Sequence, residues 1–301
     1  MIKFLPILLL FQLFSYDLAI DAKADTRTPI KRLQVFSERC CGSNYITALL
    51  IQHFNFDNCF DVPERKLPKS FSRVREELQF YALQDGDQIL HKLFLYPYGH
   101  KHFSPWLSQT PKLYRGPRKN YDYRDSNDCL FIVVFRNPYD WVRSFYRSPW
   151  HVSASSTNKS FHEFIRLPWK YERYTDPMPR EVRYNPWIDR NPTNGSLFEN
   201  IFELRKYKIE NMLLVRNKVK NIYYVNYEAV RENPKQFIIE ISKLYALDLK
   251  TPFQNVTIYK GDQFQGSYVC SEYPTLSEDD VCYINSRLDP VLEESINYEL
   301  K

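Results

Sequence analysis

Eight consecutive residues, Ser37-Glu38-Arg39-Cys40-Cys41-Gly42-Ser43-Asn44, have the spacing of a phosphate-binding loop that lacks its lysine. A loop of the form GxxxxGK[ST] sets a lysine on terminal phosphates and a hydroxyl on magnesium. Here Ser37 and Gly42 keep the frame, while Ser43 and Asn44 fill the lysine and metal-ligand positions. What survives is the backbone. A helix N-terminus with free amides binds an anion without a metal, and Gly42 lets the main chain approach closely. Arg39 adds a fixed positive charge inside the loop. The pattern predicts a site for an anion of lower charge than a triphosphate, although a purely structural turn accounts equally well for these residues taken alone.

Two other clusters carry chemistry. In "FRNPYDWVRSFYRSPWH", 135 to 151, Arg136 precedes Ser144 by eight positions. A guanidinium offers a planar fork suited to phosphate oxygens, and Ser144 adds a hydroxyl; the bland alternative is an Arg136–Asp140 ion pair and an ordinary helix serine. Arg143 is a further neighbour, and His151 can face either the bound anion or a second substrate. In "GHKHFSPW", 99 to 106, Lys101 and His102 stand side by side. A histidine near its ordinary pKa takes a hydroxyl proton at neutral pH, and the choice among His91, His100 and His102 stays open, as does an exposed basic turn. Glu77 in "REELQFY" is a rival base, with a solvated helix face as its alternative.

The elements that must hold these groups follow from apolar patterning. "LQVF" (33 to 36) reads as a buried strand, and Ile46, Leu49, Leu50 and Phe54 recur at helical spacing, so 43 to 54 should be a helix. "CLFIVVF" (129 to 135) is apolar on both alternating faces, as a central parallel strand covered by helices requires. Pro138 can start the next helix, with Trp141, Val142 and Phe145 facing inward. A third strand, 221 to 226, precedes a helix opened by Pro234 with Phe237, Ile238, Ile241, Leu244 and Tyr245 on one stripe. Residues 197 to 218 also read as helix, and Ser277 can cap a helix whose first turn is acidic. Alternating strands and helices predict an α/β domain with a parallel sheet, whose ligands bind at the carboxyl ends of strands. Arg39 and Arg136 both fall there. Segments 55 to 88 and 148 to 196, rich in proline, aromatics and charge, are expected to include lid or substrate-facing parts.

The first residues, 1 to 24, have a short basic start, an apolar run from Phe4 to Phe14, and Ala22 and Ala24 set for cleavage. We expect a signal peptide there and a single domain over 25 to 301, directed to the secretory lumen or secreted, with an uncleaved anchor as the alternative. The sequons at Asn158, Asn194 and Asn255 suit that route. An oxidising compartment permits disulfides among Cys40, Cys41, Cys59, Cys129, Cys270 and Cys282. Cys270 and Cys282 can close a small loop, whereas Cys129 reads as a buried thiol. No cysteine or histidine spacing suggests a metal site. The net charge of +5 suits an anionic ligand without proving one.

The two anion-binding motifs together resemble those of sulfotransferases that use 3′-phosphoadenylyl sulfate (PAPS). "ERCCGSNY" is similar to the loop that holds the 5′-phosphosulfate, and Arg136 with Ser144 is similar to the element that holds the 3′-phosphate. "VNYEAVRENPKQFIIEISKLYAL" is similar to that family's later strand, Tyr-Glu pair and proline-started helix, so the resemblance spans about residues 33 to 247. It looks closest to a divergent branch with an ERC-small-Gly-Thr/Ser-Asn loop. The resemblance implies a three-layer αβα, P-loop NTPase-like sulfotransferase fold and transfer of a sulfonyl group to a hydroxyl or amine, with no metal. Arg39, Lys101 and His102 would be catalytic; Arg39, Cys40, Cys41, Gly42, Ser43, Asn44, Arg136 and Ser144 would hold the cofactor. Cys40 stands where the family often has a lysine, which leaves the principal leaving-group cation open. Glu77 looks like part of a Glu-x-x-Phe-Phe segment of glycosaminoglycan sulfotransferases. Lys260 can close over the cofactor, and Trp106, Trp141 and Trp150 can stack on adenine or acceptor, with core packing as their default. The acceptor, whether carbohydrate, protein or small molecule, is not encoded legibly, and neither nucleic acid nor a membrane span is expected. A nucleotide-dependent kinase and an inactive secreted anion-binding module are the competing readings.

Overall fold

The computed structural model describes residues 24–25, 27–59, 123–149, 158–169, 191, 196–256 and 272–301. Four strands form its sheet: β1 (Arg32–Ser37), β2 (Asn58–Cys59), β3 (Cys129–Phe135) and β4 (Ile222–Asn226). They lie in the order β2-β1-β3-β4, and every neighbouring pair is parallel. Val35 sits opposite Ile132, and Ile132 opposite Tyr223, so the three longer strands run in step.

The sheet is buried on both faces. On one, Leu33, Val35, Leu130, Ile132, Val134, Tyr223 and Val225 form a core with α1 (Ser43–His53), α2 (Pro138–Arg147) and a later proline-started helix. On the other, Phe36, Phe131, Val133, Phe135 and Tyr224 pack with Ile209, Met212, Ile296 and Tyr298. This two-faced burial is why β3 is apolar at all seven positions, with all seven side chains buried. The result is an α/β fold with a parallel sheet between helical layers, as the patterning predicts.

Strand β3 and the start of α2 coincide with their expected limits, because an apolar run and an N-terminal proline mark them. Asn137 caps α2, its side chain accepting from the amides of Tyr139 and Asp140. A four-residue turn of helix, α3 (Phe161–Phe164), is closed by a capping box between Ser160 and Glu163. The helix expected over 197 to 218 is shorter: α4 spans Ile201–Leu213, because Asn200 accepts from the amides of Phe202 and Glu203 and fixes its start. After β4 come α5 (Tyr227–Glu232) and α6 (Pro234–Tyr245), the latter burying Phe237, Ile238, Ile241 and Tyr245. Last are α7 (Glu278–Arg287), capped by Ser277 as expected, and α8 (Pro290–Ser295). Strand β2 carried no signal; two residues pairing at a sheet edge leave no apolar run to read.

No helix among the described residues is long and apolar enough to cross a membrane. Of the expected leader, 1 to 24, residues 1 to 23 lie outside them; just beyond it, the Asp25 amide donates to Asn221 Oδ1 at 2.7 Å and the Asp25 carboxylate meets Lys220. Cys40, Cys41, Cys129 and Cys282 are free thiols, Cys129 buried in β3 and Cys282 exposed on α7. Cys270 lies outside the described residues.

Candidate functional site

Strand β1 has β2 on one side and β3 on the other, so successive connections leave it in opposite directions. The carboxyl ends of β1 and β3 therefore border the crevice where sheets of this kind take ligands. The loop 38–42 emerges from β1, Arg136 follows β3, and Tyr227 follows β4.

The loop is built on two left-handed residues, Cys40 at φ 60° and Gly42 at φ 83°. Only glycine serves at the second. A Cβ there would stand 2.2 Å from the Tyr227 ring, so Gly42 is required by both its φ and the close approach of that ring. Gly42 is also the N-cap of α1, and no side chain caps this helix. Its first amides thus have no side-chain cap, and its positive dipole end lies at the loop.

Arg136 meets this loop directly. Its Nη1 donates to the Cys40 carbonyl at 2.7 Å, and its Nη2 donates to the Tyr273 hydroxyl at a longer 3.3 Å. The guanidinium carbon lies 4.9 Å from the Tyr227 ring centre and 5.9 Å from that of Tyr273. The residue is more than nine-tenths buried, yet its Nε finds no hydrogen-bond partner among the described residues. Burial works against its charge, but Tyr273, Cys41 and Glu228 outweigh that and raise its pKa, so the guanidinium stays charged. A buried cation with an unused donor is costly unless something arrives to use it.

The backbone that carries Arg136 is itself held. Arg205, buried, makes a bidentate pair with Glu293 at 2.6 and 2.7 Å and donates to the Arg136 carbonyl at 2.9 Å. Glu228 accepts from the Asn137 amide at 3.1 Å and from the Tyr298 hydroxyl at 2.7 Å. Asp140, the alternative partner weighed for Arg136, pairs with Arg143 instead.

Ser144, on α2, reaches the loop as its spacing implies. Burial pushes the Cys40 thiol up to about 12 against the pull of Arg136, Arg39 and a hydrogen bond with Ser144. Burial likewise raises Cys41. Both are neutral thiols at neutral pH, and a cysteine carries no positive charge in either form, so position 40 adds no cation to the loop. Ser43 opens α1 and is buried, whereas Asn44 is exposed.

No protein-family model matches this chain, and no curated protein does.

Arg39 is placed differently from its expected role. Its guanidinium is buried, pairs with Glu38 at 3.0 Å and lies 5.2 Å from the Trp169 ring centre. Glu38 is shared with buried Lys208, whose Nζ lies 3.0 Å from its second oxygen. In this arrangement the Arg39 charge braces the loop through a carboxylate, and among the described residues Arg136 is the cation at the strand ends with an unused donor. Trp141 has its default role: it is buried, and its Nε1 donates to the Arg39 carbonyl at 2.9 Å. Lys101, His102, Glu77, His91, His100, Trp106, Trp150, His151 and Lys260 lie outside the described residues.

Sequence reasoning thus named Cys40, Gly42, Arg136 and Ser144, which the structure brings together. It did not assign Tyr227, Glu228 or Tyr273. The Tyr227-Glu228 pair was visible as a motif without a role; Tyr273 had no signal, being a lone tyrosine among 23 in the chain.

Proposed function

We propose that this protein is a PAPS-dependent sulfotransferase of P-loop NTPase-like sulfotransferase fold, acting in the secretory pathway on a hydroxyl or amine of an acceptor. The observation that carries the reading is the conjunction of an uncapped helix N-terminus behind a left-handed loop with a buried, charged Arg136 whose Nε is unused. A helix end alone is common; a desolvated guanidinium fork beside it, supported by Ser144, is the chemistry of a phosphate group.

The residues present fit such a ligand. The amides after Gly42 would hold one anionic group, and Arg136 with Ser144 a second. A nucleotide with phosphoryl groups at two ends has that need, whereas a single small oxyanion uses only one. When bound, PAPS supplies an activated sulfonyl group whose departure leaves negative charge on the nucleotide. Preorganised amides and a fixed cation stabilise charge that grows in the transition state, at no reorganisation cost. Lys101 and His102 remain the candidates for leaving-group cation and general base.

The test is transfer itself. Purified protein is incubated with PAPS labelled in its sulfonyl group and with carbohydrate, tyrosine-peptide and small-phenol acceptors, with and without magnesium chelator. Label should move to one acceptor class and be indifferent to the chelator. Retention of all label, alongside magnesium-dependent consumption of the ATP γ-phosphate, would favour a kinase and overturn the proposal.

A further inference from the structure

We infer that the Tyr273 hydroxyl is a stand-in for a ligand oxygen: it occupies the anion-binding edge of Arg136 and must leave before an anion can bind there. The inference rests on the reading of Arg136 as an anion site and says what controls entry to it.

A guanidinium has two edges that can grip an oxyanion with paired donors, and the side-on edge consists of Nε and Nη2. In Arg136 the remaining nitrogen, Nη1, is committed to the loop through the Cys40 carbonyl. The side-on edge is differently employed. Among the described residues Nε is buried and without a hydrogen-bond partner, and Nη2 donates to the single Tyr273 hydroxyl oxygen at 3.3 Å. A single phenol oxygen satisfies one donor of the pair and leaves the other desolvated. A tetrahedral oxyanion offers two oxygens to the same edge and brings the negative counter-charge that the positive guanidinium is missing. The Tyr227 and Tyr273 rings lie beside the guanidinium carbon, their centres 4.9 and 5.9 Å from it.

Tyr273 is held there by a second arginine. The Arg143 guanidinium lies 5.2 Å from the Tyr273 ring centre, and its Nη1 donates to the Pro274 carbonyl at 2.7 Å. Beyond these residues the chain reaches the Ser277 cap, which anchors α7. Residues 272 to 276 thus form an extended strap with no helix or strand of its own, fastened by Arg143 on one side and the α7 cap on the other. Arg143 is already paired with Asp140, so of the two guanidinium groups at this ring Arg136 is the one with no carboxylate ion-pair partner among the described residues.

Because wild type must break the Arg136–Tyr273 hydrogen bond to admit the ligand, deleting the hydroxyl should strengthen binding by the value of that bond. For Tyr273→Phe this amounts to an affinity gain of about two- to tenfold. Arg143→Gln, which unfastens the strap while leaving Arg136 intact, should shift affinity in the same direction.

The experiment is calorimetric titration of the full chain with adenosine 3′,5′-bisphosphate and, separately, inorganic phosphate, for wild type, Tyr273→Phe and Arg143→Gln. Amide hydrogen exchange over 272 to 276 is followed with and without the bisphosphate. The inference expects tighter binding by both variants and faster exchange of the strap in liganded wild type. Equal or weaker binding by Tyr273→Phe, with the strap protected on binding, would show that the hydroxyl assists the ligand and overturn the stand-in role while leaving the anion site intact. Failure of wild type and both variants to bind either probe would overturn the anion site itself and the inference with it.

Discussion

Arg136 Nη1 donates to the Cys40 carbonyl across 2.7 Å, joining residues 96 positions apart at the ends of adjacent strands. The bond ties Arg136 to the left-handed turn at Cys40, while Nη2, on the other edge of the guanidinium, meets Tyr273. One side chain thereby shapes the cradle and furnishes its charge. Arg136→Lys keeps a cation but loses the fork. It should weaken adenosine 3′,5′-bisphosphate at least tenfold and lower the melting temperature of the free protein. Titration and melting of the two proteins check this; unchanged affinity in the lysine variant would mean that only net charge matters.

Gly42→Ala combines a left-handed backbone with a methyl driven into the Tyr227 ring. A penalty of about 2–4 kcal/mol is expected from backbone strain and overpacking together. Tyr227→Leu should recover part of the overpacking cost but none of the strain. A double-mutant cycle by denaturant unfolding measures the split; strict additivity would indicate that the ring simply moves aside.

The buried Arg205–Glu293 pair supports the Arg136 carbonyl from beneath. Removing one partner leaves the other charge buried and alone, so Glu293→Ala should cost about 3–5 kcal/mol. Replacement of both residues by apolar side chains should cost less in stability than the single change, while still weakening bisphosphate binding because the Arg136 backbone loses its donor. Unfolding curves and titrations on the same samples separate the two effects.

The strands and the helix-opening prolines were legible because their physics is local: a doubly buried parallel strand is uniformly apolar, and Pro138 and Pro234 announce helix starts. The meeting of Cys40, Arg136 and Ser144 was legible as well, since Cys40 and Arg136 sit just beyond the carboxyl ends of readable strands and Ser144 lies on the proline-started helix that follows the second. Arg39 was not. A charge beside the loop reads the same in sequence whether it faces a ligand or is buried under it, and only the fold brings Glu38, Lys208 and Trp169 around it. Tyr273 was equally invisible, because its contact with Arg136 spans 137 positions and belongs to no periodic element.

Alkaline pH should loosen the fold in a predictable direction. Burial pushes the Cys40 thiol from 9.0 to about 12, and burial also raises Tyr245 and Tyr298 above the ordinary tyrosine range. The unfolded chain gives up these protons first, so the stability present below about pH 9 declines as pH rises through the window to about 12. Chemical unfolding at pH 8, 9.5 and 10.5 should show a falling midpoint. In the folded state at pH 8, a thiol reagent should label exposed Cys282 well before Cys40 or Cys41.

The most direct measurement of the central claim is calorimetric titration of the purified protein with adenosine 3′,5′-bisphosphate beside ATP plus magnesium, for wild type and Arg136→Ala. Saturable, magnesium-independent binding of the bisphosphate, lost in the variant while the variant remains folded, is the predicted result. Binding of ATP only with magnesium, or bisphosphate binding that survives Arg136→Ala undiminished, would contradict it.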